Sequence, residues 1–214
     1  MDDMASIYDL KPAFQGLLRP ISNGLAKRGF TANQVTVFAL LLSLAAAAAL
    51  TLWPGHPAPL LALPALLFIR MALNAIDGMM AREHHMKSHL GLFLNELSDV
   101  VADAALILPL AFIPGVPAEA VVLFVLAAVL TEMTGICAVM IGAERRYDGP
   151  MGKSDRAFIL GLVGLLLGLG VPTGIWLDLL LWAAFALCVL TIINRARKAL
   201  TAARSDAATG ETES

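Results

Sequence analysis

The sequence predicts an all-α integral membrane protein: six transmembrane helices preceded by an amphipathic helix lying in the membrane interface. Three observations carry this expectation. Of 214 residues, 58% are hydrophobic and only 15% charged, against about 25% charged in an ordinary soluble domain. So little polar surface nearly excludes a water-soluble globule. Six apolar stretches, at residues 33–53, 58–81, 91–113, 118–142, 154–171 and 174–193, approach or exceed the length needed to cross a hydrocarbon core about 30 Å thick. The basic residues, finally, fall on alternate sides of those stretches.

Residues 1–31 read as a cytoplasmic juxtamembrane segment, with no cleavable signal peptide expected behind Asp2 and Asp3. Within it, Leu10, Phe14, Leu17, Leu18, Ile21 and Leu25 recur with a helical period, interleaved with Lys11, Arg19 and Lys27. That pattern suits a helix in the plane of the interface, and Pro20 predicts a bend or break in it. Residues 32–200 form the six-helix domain. Pro54-Gly55 with Pro57 and Pro59, Pro114-Gly115 with Pro117, and Pro172 with Gly174 mark three tight connections. The fifth span is short, its 18 residues rising roughly 27 Å, so it is expected close to the membrane normal. Residues 201–214 are polar and expected to be a disordered cytoplasmic tail.

The three Pro/Gly-rich connections contain no Lys or Arg, while the other side carries fourteen of the fifteen basic residues. Arg70 alone lies inside a span away from that side. By the positive-inside rule both termini are cytoplasmic, in the cell's inner (cytoplasmic) membrane. Net charge is -2, and no nucleic-acid partner is expected. Cys137 and Cys188 lie in apolar runs without a metal-site spacing and read as small core residues.

Ionisable groups inside spans are costly and point to function. Here they share faces. Arg70, Asn74, Asp77 and Ala81 follow i, i+4, i+7, i+11 on the second span; Gly91, Asn95, Asp99 and Asp103 step by four on the third. Glu96 flanks the second set. A connection of about nine residues (82–90) makes the two helices antiparallel neighbours. Carboxylates converging in a low-dielectric bundle need cations, and oxygen donors suit Mg²⁺, Mn²⁺ or Ca²⁺ rather than zinc. His84, His85 and His89 read as solvated loop residues. Deeper in the membrane, Arg70 and Glu132 suggest a structural pair, or else Glu132 contributes to an acceptor pocket.

Asn74, Asp77-Gly78, Ala81-Arg82, Gly91, Asn95 and Asp99 resemble the signature of the CDP-alcohol phosphatidyltransferase family, D-x2-D-G-x2-A-R-x8-G-x3-D-x3-D. All eight fixed positions match in spacing, and six of the eight in residue type. Ala32-Asn33-Gln-Val-Thr36 looks like the P-N-x-x-T opening of the family's first span, without its proline. The resemblance implies a donor, CDP-diacylglycerol, held by two divalent ions, Mg²⁺ or Mn²⁺. It further implies attack by the hydroxyl of a small polar alcohol, with glycerol 3-phosphate the first candidate, and release of CMP. By position, Asn74, Asp77, Asn95 and Asp99 would be metal ligands, with Asp99 also the general base. Gly78, Ala81 and Gly91 would admit the cytidine, and Arg82 and Lys153 would meet phosphate.

Asn74 and Asn95 replace two motif aspartates. Four aspartates would offset a dinuclear +4, whereas the matched positions here supply -2. Glu96 and Asp103 would restore the balance if both face inward, and Glu96 is the expected substitute for the ligand lost at Asn95. A second basic cluster, with Arg145, Arg146 and Arg156, would bind an anionic acceptor or anionic membrane lipids. Gly164-x-x-x-Gly168 permits close helix approach, within the chain or across a homodimer. Three rivals remain: a site with one tightly held metal, a catalytically silent relative serving as a membrane scaffold, and a small transporter. The transporter would distribute acids through the membrane depth and show repeats, which this sequence does not.

Overall fold

The computed structural model describes the backbone of residues 7–210 and the side chains of residues 14–204. Residues 1–6 and 211–214, the ends of the expected juxtamembrane segment and tail, lie outside the described residues, as do the side chains of Leu10 and Lys11. The described chain is helical: α1 (Ile7–Lys27), α2 (Ala32–Leu52), α3 (Pro57–Glu83), α4 (His89–Ile107), a 3₁₀ turn (Leu108–Phe112), α5 (Ala118–Met140), α6 (Lys153–Gly168) and α7 (Ile175–Gly210). These match the six apolar stretches and the amphipathic segment to within a few residues, apart from the third stretch, whose end is the 3₁₀ turn, and the sixth, which α7 overruns.

Four helices, α2, α3, α5 and the 175–204 part of α7, are long and apolar enough to cross a bilayer, and the chain is a multi-pass membrane protein. α4 carries four acidic or amide side chains within its 19 residues, and α6 has only 16, so neither meets that measure of length and composition. α7 continues through Gly210, where the sequence suggests disorder from 201.

The chain divides into two compact units. Unit 1 comprises Met1–Ala46 and Ala65–Ala102; unit 2 comprises Ala47–Pro64 and Asp103–Ser214. In unit 1, α1 is continuous through Pro20 rather than broken. The proline deprives the Gly16 carbonyl of its donor, but Gly16 is exposed, where solvent can satisfy it. Leu18 of α1 is buried with Ala32 and Val35 of α2 and Ile76, Met79 and Met80 of α3, flanked by Phe14 and Leu25. Leu17 and Ile21 face outward, 72% and 52% exposed, a second apolar stripe free to meet lipid. Arg19 grips Glu83 at the end of α3 through two hydrogen bonds of 3.1 and 3.0 Å.

The α1–α2 turn is closed by Gly29 at φ +83, with Phe30 N–H on the Leu25 carbonyl and Gly29 N–H on that of Ala26. Thr31 and Gln34 then cap α2 reciprocally, each side chain accepting the other's backbone N–H.

In unit 2, α5 packs along α7. The glycines of α6 serve internal packing. A methyl at Gly164 would press on Leu63 and the Leu60 carbonyl, and one at Gly168 on Leu61, at 2.8 to 3.2 Å. The Gly164-x-x-x-Gly168 stripe therefore seats α6 against the first turns of α3 within the same chain.

Candidate active site

Unit 1 contains a cavity of about 810 Å³. Ala32, Asn33 and Thr36 of α2 form one wall, and Asn74, Asp77, Gly78, Ala81 and Arg82 of α3 another. Gly91, Leu92 and Asn95 of α4 form the third, with Met86, Lys87, Ser88 and His89 at the connection. Seven of the eight signature positions thus line one space. The i, i+3, i+4, i+7 spacing on α3 and the four-residue step on α4 bring them there. Asp99 lies one turn along α4 from Asn95.

Asp77 is buried, and its Oδ2 accepts a 2.7 Å hydrogen bond from Thr36 Oγ1. The Thr36 hydroxyl also contacts the Ala32 carbonyl at 3.1 Å, so α2 fixes the rotamer of the α3 carboxylate. Asp99 Oδ1 accepts from Asn74 Nδ2 at 3.2 Å and from Arg70 Nη2 at 3.5 Å, and the Asp99 carbonyl accepts from the same guanidinium nitrogen at 3.2 Å. Because Asn74 commits its Nδ2 to Asp99, its Oδ1 is the atom left for a cation.

The two motif glycines act differently. A methyl at Gly78 would meet the Arg82 guanidinium at 3.2 Å; one at Gly91 would meet Asn33 Oδ1 at 2.8 Å and Ser88 Oγ at 3.1 Å. Gly78 lets Arg82 fold back over the cavity wall. Gly91 lets the α2 amide come close to α4, where sequence reasoning expects room for a base. Ser88 caps α4, accepting the Gly91 N–H at 3.0 Å.

The donors facing this cavity are amide and carboxylate oxygens, the set a hard divalent cation takes. Among the described residues no three His, Cys, Asp or Glu side chains converge closely enough to hold a metal between them. Glu96, beside Asn95, is half-buried.

Unit 2 places its basic residues differently from expectation. Arg156 is 2% exposed. It donates to Asp103 at 3.2 and 3.0 Å, to Glu132 at 2.9 Å and to Thr131 Oγ1 at 3.1 Å. Those carboxylates take its guanidinium in place of an anionic acceptor, and Asp103 is spent on Arg156 instead of adding to the metal charge. Glu132 also pairs with Arg145 at 3.3 Å and Arg195 at 3.5 Å. Its partners are these three arginines in place of the Arg70 pairing suggested by sequence.

Arg145 also stacks over the Tyr147 ring at 4.3 Å. Asp148 accepts from Lys198 at 2.7 Å and Arg146 at 2.8 Å. The Lys198 hydrogen bond, and after it that of Arg146, hold the Asp148 carboxyl below the usual carboxylate range. Lys153 is the half-buried first residue of α6.

Sequence reasoning missed the roles of Thr36, Asn33, Ser88, His89 and Lys87 at the cavity. Thr36 and Asn33 carried a signal, the Asn-x-x-Thr opening. The three connection residues carried none, since loop conformation decides which of them turns inward.

The sequence model described as CDP-alcohol phosphatidyltransferase matches residues 30–193. The chain belongs to this family. Its match spans the cavity, and the chain is an enzyme of that class, whose members use divalent metal ions. Among curated proteins it is similar to the inner membrane protein YnbA of Escherichia coli (strain K12), 46% identical over 195 residues, covering 91% of this chain and 96% of that one.

Among solved structures it is similar in fold to the phosphatidylinositol phosphate synthase PgsA1 of Mycobacterium tuberculosis. The structure of that synthase with CDP-DAG bound is 24% identical and covers 86% of this chain and 94% of its own, at a TM-score of 0.72. Its complex with manganese and citrate is also 24% identical, covering 86% and 89%, at 0.72.

Proposed function

We propose that this enzyme transfers the phosphatidyl group of CDP-diacylglycerol to a small polar alcohol, releasing CMP, at the unit 1 cavity. In this reading it crosses an inner membrane six times, with both termini and the cavity on the cytoplasmic side. The observation that carries it is the folding of seven signature positions around one space of about 810 Å³, room for a nucleotide diphosphate headgroup.

Asn74, Asp77, Asn95 and Asp99 are the residues that would hold the metal, with Glu96 adding a carboxylate at the flank of α4. Bound there, a divalent ion supplies positive charge to the phosphoryl oxygens and the leaving group. Thr36 keeps Asp77 in one rotamer, which removes a reorganisation cost from binding. Gly78 and Ala81 leave the α3 backbone open to the cytidine, and Arg82, folded over Gly78, meets a phosphate.

Asp99 accepts the proton of the acceptor hydroxyl as that oxygen attacks the β-phosphorus. The new P–O bond forms as the bond to CMP breaks. In unit 2, Lys153 is assigned to a substrate phosphate. With Arg156 enclosed, Arg145 and Arg146, each paired with a carboxylate, would exchange that partner for an anionic acceptor such as glycerol 3-phosphate.

The reading also draws on the relatives' names: PgsA1 was solved with CDP-DAG and with manganese, and YnbA is an inner membrane protein. Purified protein given labelled CDP-diacylglycerol, a panel of alcohols, and Mg²⁺ or Mn²⁺ should release CMP only with metal and an acceptor. Absence of CMP release with every alcohol and both metals would refute it.

A further inference from the structure

The five residues between α3 and α4, 84–88, border the cavity at Met86, Lys87 and Ser88, and they are held from both sides. Arg19 and Asn23, one helical turn apart on α1, meet the end of α3 and the residue after it. Arg19 donates to both carboxylate oxygens of Glu83 at 3.1 and 3.0 Å, and Asn23 Oδ1 accepts from His84 Nε2 at 2.9 Å. Met86 packs against the core that Leu18 of α1 shares with α2 and α3. Ser88 Oγ accepts from the Gly91 N–H at 3.0 Å and from Asn33 Nδ2 of α2 at 3.5 Å. Between these anchors His85 adopts φ +57, the one positive φ at a non-glycine among the described residues. A side chain disfavours that conformation, which persists where contacts on either side fix the chain.

Lys87 therefore sits between two anchored residues, and it lines the cavity. Among the described residues around that space, Asp77 is the one carboxylate, and Arg82 and Lys87 are the two permanent cations. Arg82 comes from α3, inside the signature; Lys87 comes from the connection, outside it. A diphosphate carries more negative charge than one guanidinium balances. A second cation on a loop already ordered meets it at a smaller entropic cost than one on a free loop. Lys87 is also exposed, so its attraction for phosphate is open to screening by salt.

We propose that Lys87 contacts the diphosphate of the CDP-linked donor, and that Arg19 and Asn23 of α1, acting through Glu83 and His84, are positioning residues that keep it at the cavity. The inference rests on the reading of the cavity as the donor site. It gives α1 a part in donor binding although none of its described residues lines the cavity.

Equilibrium binding of CDP to the full-length protein in detergent with Mn²⁺, at low and high salt, tests it. Lys87→Gln should bind CDP about tenfold more weakly than wild type at low salt. That gap should close at about 1 M salt, and Lys87→Arg should keep most of the affinity. Arg19→Ala with Asn23→Ala should weaken CDP about threefold or more. This second loss should vanish when Lys87→Gln is already present, because both changes act on one contact.

Wild-type affinity in Lys87→Gln, a loss indifferent to salt, or no rescue by arginine would overturn the contact. No loss in the α1 variant, or one that persists undiminished beside Lys87→Gln, would overturn the positioning role. If the α1 variant does not fold, Asn23→Ala alone, which removes a single hydrogen bond, carries the same comparison. No CDP binding by wild type with Mn²⁺ would fault the donor-site reading itself. CDP binding that depends on Lys87, with no CMP release from any acceptor, would fault the transfer reading alone.

Discussion

Unit 1 and unit 2 each bring ionisable side chains together on apolar helices, and they settle the resulting charge in opposite ways. In unit 2, Asp103 and Glu132 are closed over by Arg156, with Arg145 and Arg195 completing the contacts around Glu132. The two carboxylates are paired with guanidinium groups inside the protein, leaving Arg156 at 2% exposure. In unit 1, Asp77, Asn74 and Asn95 border an open space, and the partners of Asp77 and Asp99 include a hydroxyl, an amide and one guanidinium. An enclosed, internally matched network stabilises a fold. A polar wall around a cavity is where a ligand can be taken up.

That difference should separate stability from activity on mutation. Asp99→Asn or Asp77→Asn should cost about 10²–10⁴-fold in CMP release, the range expected for losing a general base or an essential ligand. Thermal unfolding in detergent should barely move for Asp77→Asn, whereas Asp99→Asn, which takes a charge partner from the enclosed Arg70, should lower it as well. Arg156→Met should do the reverse, leaving two buried carboxylates without their main partner and destabilising the protein by about 3–5 kcal/mol. If Arg156→Met melted like wild type but lost turnover, the assignment of the unit 2 network to stability would be wrong.

Thr36→Val tests how rigidly the unit 1 wall is held. It keeps the shape of the side chain and removes a hydrogen bond to a charged acceptor, worth about 1.5–3 kcal/mol. Turnover against Mn²⁺ concentration should therefore shift ten- to a hundredfold toward higher metal, with little change in melting.

Asp148 gives the smallest effect. Its folded carboxyl lies below the ordinary carboxylate pKa of about 3.9 because Lys198 and Arg146 donate to it. Its contribution is complete above that ordinary value and disappears as pH falls through the lowered one. Asp148→Asn should therefore differ from wild type by no more than about 1 kcal/mol at pH 7, and the difference should vanish under strongly acidic conditions.

Much of unit 1 was legible because its site is built from short-range periodicity. Asn74, Asp77, Gly78 and Ala81 share one face by helical spacing alone, and a connection of only five residues forces α4 to lie beside α3. Pairings across long separations were not legible. Thr36 and Asp77 are 41 residues apart, and Arg156 lies 53 from Asp103 and 24 from Glu132. Nothing local distinguishes an arginine that will be enclosed by carboxylates from one that will meet a ligand, so Arg156 resembled an acceptor residue and Glu132 a partner for Arg70. Pro20 misled for a related reason: the cost of a helical proline depends on whether the orphaned carbonyl meets solvent, which only the exposure of Gly16 in the structure reveals.

The central claim is that the α2–α3–α4 wall grips a nucleotide diphosphate through a bound cation. Equilibrium binding of CDP-diacylglycerol to wild type and Asp77→Asn, each with Mn²⁺ and with chelator, tests it most directly. Saturable binding that requires Mn²⁺ and falls at least tenfold in Asp77→Asn is the predicted result. Equal affinity in the two proteins, or affinity indifferent to the chelator, would contradict it.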